Sequence, residues 1–171
     1  MKSRAMPAGA YETAAPLSAR AQQVRALAAA HAAEPGGLLP ALHAVQGALG
    51  HIDDADVPVL AELFNRSRAE VHGVVTYYHH FRRQPPGRHV VQLCRAEACQ
   101  ACGADELAAL AQERLRCAEG QTRSDGGVTL EAVYCLGLCA SSPALALDGR
   151  LHGRVTPARL QQLLDGVEAA S

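Results

Sequence analysis

A chain of 171 residues, 49% hydrophobic and 19% charged, has enough apolar material for one sizeable core or two small ones, which excludes an intrinsically disordered protein. Its net charge of -1 leaves no field to hold a polyanion, and no basic run or interleaved aromatics marks a nucleic-acid binder, so no nucleic acid is expected as a partner. The start, Met1-Lys2-Ser3-Arg4-Ala5-Met6-Pro7, lacks an apolar segment behind its positive charge, and no window approaches the ~18 apolar residues of a membrane span; a cytoplasmic protein with no membrane span is expected.

Residues 1–16 mix Met, Ala, Gly and Pro without periodicity and read as a flexible tail. Helical spacing begins with Leu17, Val24, Leu27 and Ala28 behind Ser18 as N-cap, and Glu34-Pro35-Gly36-Gly37 stops it. A second helix runs from Leu38 to Leu49 and closes at Gly50. Asp53 or Asp54 then caps a third helix carrying Val57, Val59, Leu60, Leu63 and Phe64. Ser67-Arg68-Ala69-Glu70 is a capping box opening a fourth helix through Val71, Val74 and Val75. Residues 17–84 are thus predicted to form a small helical bundle.

Gln84-Pro85-Pro86-Gly87-Arg88 is the clearest break, and a second domain is predicted over 85–171. In it, His89 to Leu93 reads as a buried strand ending at Cys94, and Ala104 to Leu115 as a helix. Thr122 to Gly127 is a polar turn, and Val128 to Tyr134 is a strand running into Cys135. Ala144 to Leu147 pairs with Leu151 to Val155 across Asp148-Gly149-Arg150, a strong hairpin signal. Pro157 opens a closing helix with Leu160, Leu163, Leu164 and Val167 on one face. The fold class is α+β: a helical bundle followed by a thioredoxin-like β-α-β-β-α domain.

Six cysteines in a reducing compartment serve metals or redox chemistry more often than disulfides. Four of them form two close pairs, Cys94 with Cys99 and Cys135 with Cys139, each where an extended run ends. A pair so close in sequence sits on a tight loop, and the small residues Ala96, Ala98 and Gly137 let backbone N–H groups approach the sulfurs. Two such loops supply the four thiolates of a binuclear iron-sulfur cluster. Three other assignments compete. Cys94-x4-Cys99-x2-Cys102 matches the plant-type ferredoxin spacing but leaves Cys135 or Cys139 idle. Cys99-Gln100-Ala101-Cys102 is a C-x-x-C pair that would make a thiol-disulfide oxidoreductase, with no use for Cys94 or the Cys135/Cys139 pair. A four-thiolate zinc site more often uses C-x2-C knuckles.

Cys102 and Cys117 fall in helical sequence, and Cys117 reads as a packed apolar thiol. His72, His79 and His80 could share a helix face, but no carboxylate or cysteine completes a metal set. Tyr77, Tyr78 and Phe81 beside them read as core or subunit-contact residues. No G-x-G-x-x-G follows a strand, and there is no P-loop and no G-x-S-x-G elbow. A redox centre without substrate machinery describes an electron-carrying subunit whose natural neighbour is a flavin.

From Leu38 to Val167 the chain resembles the family of thioredoxin-like [2Fe-2S] ferredoxins that serve as a subunit of NADH-quinone oxidoreductase. The residues that carry the resemblance are Val71-His72-Gly73-Val74-Val75-Thr76-Tyr77-Tyr78, Pro86-Gly87-Arg88-His89-Val90, Cys94 with Cys99, Cys135-Leu136-Gly137-Leu138-Cys139-Ala140, Ser142-Pro143, Asp148-Gly149 and Gly153-Arg154-Val155-Thr156-Pro157. The resemblance implies a [2Fe-2S] cluster on Cys94, Cys99, Cys135 and Cys139, no catalytic residue, and electron transfer within an oxidoreductase complex. Cys94-Arg95-Ala96-Glu97-Ala98-Cys99-Gln100 departs from the Gly-Thr-Ala run usual in respiratory members. It is similar to the gamma subunit of soluble NAD-dependent formate dehydrogenases. That similarity implies an FMN- and NAD-binding beta subunit and a molybdenum-containing alpha subunit as partners. The equivalent subunits of NADH-quinone oxidoreductase and of NAD-linked hydrogenases remain alternatives.

Overall fold

In the computed structural model, which describes residues 17–169, the chain divides into two compact units, one ending at Arg83 and the other beginning at Gln84. The tail expected over residues 1–16 lies outside the described residues. The first unit holds four helices, α1 (Ala19–Ala29), α2 (Leu38–Leu49), α3 (Asp56–Leu63) and α4 (Arg68–Tyr77). Local chemistry sets most of their ends. Ser18 accepts the Ala21 N–H at 3.2 Å, Gly50 closes α2 at φ 80°, and Ser67 and Glu70 form both halves of the capping box.

The start of α3 differs from expectation. Neither Asp53 nor Asp54 is its N-cap; Asp56 organises this corner from inside the helix, only 1% exposed. Its carboxylate accepts the Asp53 N–H at 2.8 Å and both Nε (2.9 Å) and Nη2 (2.7 Å) of Arg20, so the buried charge is fully paired and ties α1 to α3. Val24, Leu42, Leu60, Val71 and Val75 fill the core of this unit together with Phe81. Tyr77 and Tyr78 are exposed.

The second unit contains β1 (His89–Cys94), α5 (Glu97–Ala101), α6 (Ala104–Leu115), β2 (Gln121–Thr122), β3 (Val128–Val133), β4 (Leu145–Leu147), β5 (Arg150–His152) and α7 (Pro157–Ala169). The five strands form one sheet in the order β2-β3-β1-β4-β5. Only β1 and β3 run parallel; the other pairs are antiparallel. Val91, Leu93, Val128, Leu130 and Leu145 alternate onto one face and pack against Leu107, Ala111 and Leu115 of α6 and Leu160 and Leu164 of α7. The mixed α and β architecture matches the expected fold class. Two short elements, α5 and the edge strand β2, were not expected. The hairpin turn at Asp148 and Gly149 has φ of 49° and 79°, the paired left-handed geometry of a two-residue turn. Among the described residues, no helix is long and apolar enough to cross a membrane.

The turn between β2 and β3 makes a pH-dependent contribution. Arg123 Nε and the Gly127 N–H, each 2.8 Å from Asp125, hold its carboxyl down to about 2 from an ordinary 3.8. Because the folded value lies below the unfolded one, the stabilisation is fully present above pH ~4 and is lost as the pH falls towards 2. Acid unfolding followed by far-ultraviolet circular dichroism should therefore show a smaller loss of stability between those values in Asp125→Asn than in the wild type.

Candidate metal centre

Parallel pairing of β1 with β3 places the carboxyl ends of the two strands side by side, and both cysteine pairs lie there. Cys94 stands opposite Val133, and Cys135 follows two residues beyond it. The Cys94 N–H donates to the Ala144 carbonyl at 3.1 Å and the Arg95 N–H to the Val133 carbonyl at 2.8 Å, which fixes where β1 ends. The chain then turns into α5, which carries Cys99, with Cys102 as its C-cap. Arg95 anchors this loop from outside, its guanidinium meeting Glu119 at 2.6 Å and Asp105 at 2.9 Å.

The second loop is shaped by two left-handed residues, Cys135 at φ 87° and Gly137 at φ 77°. Glycine takes this conformation freely, whereas a side-chain-bearing residue held there costs on the order of 1–3 kcal/mol. The backbone gains a concave run of N–H groups facing sulfur. The Gly137 N–H lies 3.4 Å from Cys135 Sγ, and the N–H groups of Leu136 and Cys135 reach across to the Cys94 sulfur.

Those contacts alter the acidity of the thiols. Burial pushes the Cys94 thiol up, but the Ala96 N–H, the Cys99 thiol and the N–H groups of Leu136 and Cys135 outweigh it, leaving Cys94 below the ordinary thiol value. Cys139 moves the other way, pushed up first by its hydrogen bond with Cys135, next by the Cys135 charge, and further by burial and the charges of Cys99 and Cys94. The structure therefore brings Cys94, Cys99, Cys135 and Cys139 within electrostatic reach of one another. All six cysteines of the chain are free thiols.

The Sγ atoms of Cys135 and Cys139 are 3.6 Å apart. Two sulfurs bound at ~2.3 Å to one tetrahedral metal lie roughly 3.8 Å apart, so the pair is spaced to share an ion, far from the ~2.05 Å of a disulfide. Cys94 and Cys99 are paired likewise through their thiols and are 3% and 2% exposed, whereas Cys135 and Cys139 are exposed. Among the described residues no three His, Cys, Asp or Glu side chains are grouped around one ion. A binuclear centre divides its four thiolates two and two between its irons, and this donor set fits that division.

The remaining predicted residues stand apart. Cys102 is exposed. Cys117 is buried beyond the end of α6 and donates to the Gln121 carbonyl at 3.1 Å. In the C-x-x-C stretch it is Cys99, the first cysteine, that is buried, whereas a reactive thiol needs access. His72, His79 and His80 are exposed on the first unit; the His80 ring lies 5.0 Å from that of His43. Two residues of the site have no predicted role in the sequence. Ser142 Oγ lies 3.5 Å from Cys99 Sγ and donates to the Cys139 carbonyl at 2.9 Å, and Arg95 braces the first loop. A serine beside a proline carries no signal of such a contact.

Comparison with known proteins gives the family of the chain. Residues 24–168 match the family described as thioredoxin-like [2Fe-2S] ferredoxin. A subunit of NADH-quinone oxidoreductase from Pseudomonas aeruginosa is 36% identical over 127 residues, covering 74% of this chain and 76% of that protein. The corresponding NADH-quinone oxidoreductase chain from Rhizobium meliloti is 32% identical over 149 residues, covering 87% of this chain and 89% of the relative. Among solved structures, an NAD+-reducing [NiFe]-hydrogenase in the air-oxidized state superposes with a TM-score of 0.67 at 25% identity over 78% of this chain, and the match spans 23% of that longer chain.

Proposed function

The chain belongs to the thioredoxin-like [2Fe-2S] ferredoxin family, and from that premise we propose that it is the cytoplasmic electron-transfer subunit of an NAD-dependent formate dehydrogenase, its cluster held by Cys94, Cys99, Cys135 and Cys139. The observation that carries the ligand assignment is the convergence of the two strand-end loops, in which N–H groups of Cys135 and Leu136 reach the sulfur of Cys94. A [2Fe-2S] cluster supplies a carrier that takes up and gives back one electron at a time. The chain's own residues hold its four ligand positions, shield the Cys94 and Cys99 side, and leave the Cys135 and Cys139 side open. Tyr134, next to Cys135 in sequence, is 77% exposed.

A partner subunit carrying FMN and NAD is the donor or acceptor that this open side would face, since a flavin converts a hydride into single electrons. Residues 17–84 form the docking module for that partner, with residues 85–171 as the cluster domain. Supporting the docking role is a largely apolar groove lined by Leu38, Gly73, Val74, Tyr77 and Tyr78 together with the charged Arg66 and Glu70. The formate reading rests on Arg95-Ala96-Glu97-Ala98 between the first two cysteines and on Gln100 after the second. A second reading, the equivalent subunit of a respiratory or hydrogenase complex, is favoured by the similarity to the Pseudomonas chain and to the hydrogenase.

Purification of the native complex under oxygen-free conditions tests the choice. Formate dehydrogenase predicts molybdenum and formate-dependent NAD reduction in the fraction that contains this chain. Nickel in that fraction, or a set of membrane subunits, would replace the formate reading by the hydrogenase or respiratory one.

A further inference from the structure

Ser142 joins the two cysteine loops through its hydroxyl. Its Oγ lies 3.5 Å from Cys99 Sγ and donates its proton to the Cys139 carbonyl at 2.9 Å. Cys99 and Ser142 are 43 residues apart in sequence, and the contact exists because the loop after β3 folds back over α5. A hydroxyl has one proton. While Cys99 is a thiol, its S–H can donate to Ser142 Oγ, which leaves the serine proton for the carbonyl. A metal-bound thiolate has no proton to give and becomes an acceptor only. Of the two acceptors then within reach of the serine proton, the carbonyl belongs to exposed Cys139, where water can replace the hydroxyl, whereas the sulfur of Cys99 is 2% exposed and has no such substitute.

We propose that Ser142 is a positioning residue that turns its hydroxyl from the Cys139 carbonyl to the Cys99 sulfur when Cys99 becomes a ligand, and so sets the reduction potential of the centre. The proposal rests on the ligand assignment above. A hydrogen bond to a ligand sulfur stabilises the more negative, reduced form and raises the potential. Before ligation the carbonyl contact, made within the second loop, holds the hydroxyl beside Cys99.

The test uses the full chain, purified without oxygen, with cluster content measured as iron and acid-labile sulfide and the potential by a redox titration followed by electron paramagnetic resonance. Ser142→Ala should retain the cluster and shift the equilibrium about tenfold towards the oxidised form, which is ~59 mV more negative for one electron. Ser142→Thr, which keeps the hydroxyl, should return the potential towards the wild-type value. An intact cluster in Ser142→Ala at the wild-type potential overturns the proposal, as does a folded Ser142→Ala chain that no longer assembles a cluster. Absence of iron and sulfide from the wild-type chain overturns instead the ligand assignment beneath it.

Discussion

Cys135→Ala is expected to abolish the visible absorption of the purified protein and to lower bound iron by at least about tenfold, since loss of a ligand costs no less than loss of the groups that orient one. The position has two duties. Its thiol lies 3.6 Å from that of Cys139, and its backbone, at φ 87°, aims its own N–H and that of Leu136 at the Cys94 sulfur. Alanine keeps the backbone atoms but removes the donor, so the loss reports ligation rather than misfolding if far-ultraviolet circular dichroism is unchanged. The contrasting variant is Cys102→Ala, at an exposed residue capping α5. It should keep the full spectrum and iron content. A colourless Cys102→Ala together with a coloured Cys135→Ala would reverse the ligand assignment in favour of the plant-type spacing.

Leu130→Ala should be the most damaging core substitution in the cluster-bearing unit. Leu130 is fully buried on β3, pairs with Val91 of β1 in the parallel ladder, and belongs to the same cluster as Leu107, Leu115, Leu160 and Leu164. Truncating it removes transfer free energy and leaves a cavity between the sheet and two helices, which costs about 2–5 kcal/mol. For a unit of this size each kcal/mol lowers the melting temperature by roughly 4–8 °C, so a fall of about 10 °C or more is expected in a thermal melt of the cluster-loaded protein. A change of a degree or two would mean that the parallel pair is not the mechanical centre of this unit.

Much of this molecule is written in local chemistry. The Ser67 to Glu70 capping box, Gly50 at the end of α2 and Asp148-Gly149 between β4 and β5 each declare a boundary through residues a few positions apart, and each appears where the sequence places it. The cysteine pairs were legible for a related reason, since close spacing after an apolar run marks a strand end. Features decided by contacts distant in sequence were not legible. Asp56 displaces Asp53 and Asp54 because Arg20, 36 residues earlier, reaches it. Arg95 finds Glu119 and Asp105 only after α6 has packed, and Ser142 meets Cys99 only after the last loop has closed. The two-residue strand β2 is too short for any periodicity; it forms because Gln121 and Thr122 lie opposite Leu130 and Thr129. The left-handed Cys135 is another such case, a conformation that favours glycine placed where chemistry demands sulfur.

The parallel alignment of β1 and β3 also has a bearing on biosynthesis. Adjacent parallel strands need a crossover between them, here α5, α6 and β2, so the two thiol pairs enter the nascent chain at well-separated moments. While the ribosome has delivered only the first pair, half of the proposed donor atoms do not exist, and iron would have no finished receptacle to occupy. On the proposed ligand set, capture of the inorganic core thus waits on synthesis as far as Cys139 and on the zipping of β3 against β1, so a loaded protein certifies that both loops have been made and joined.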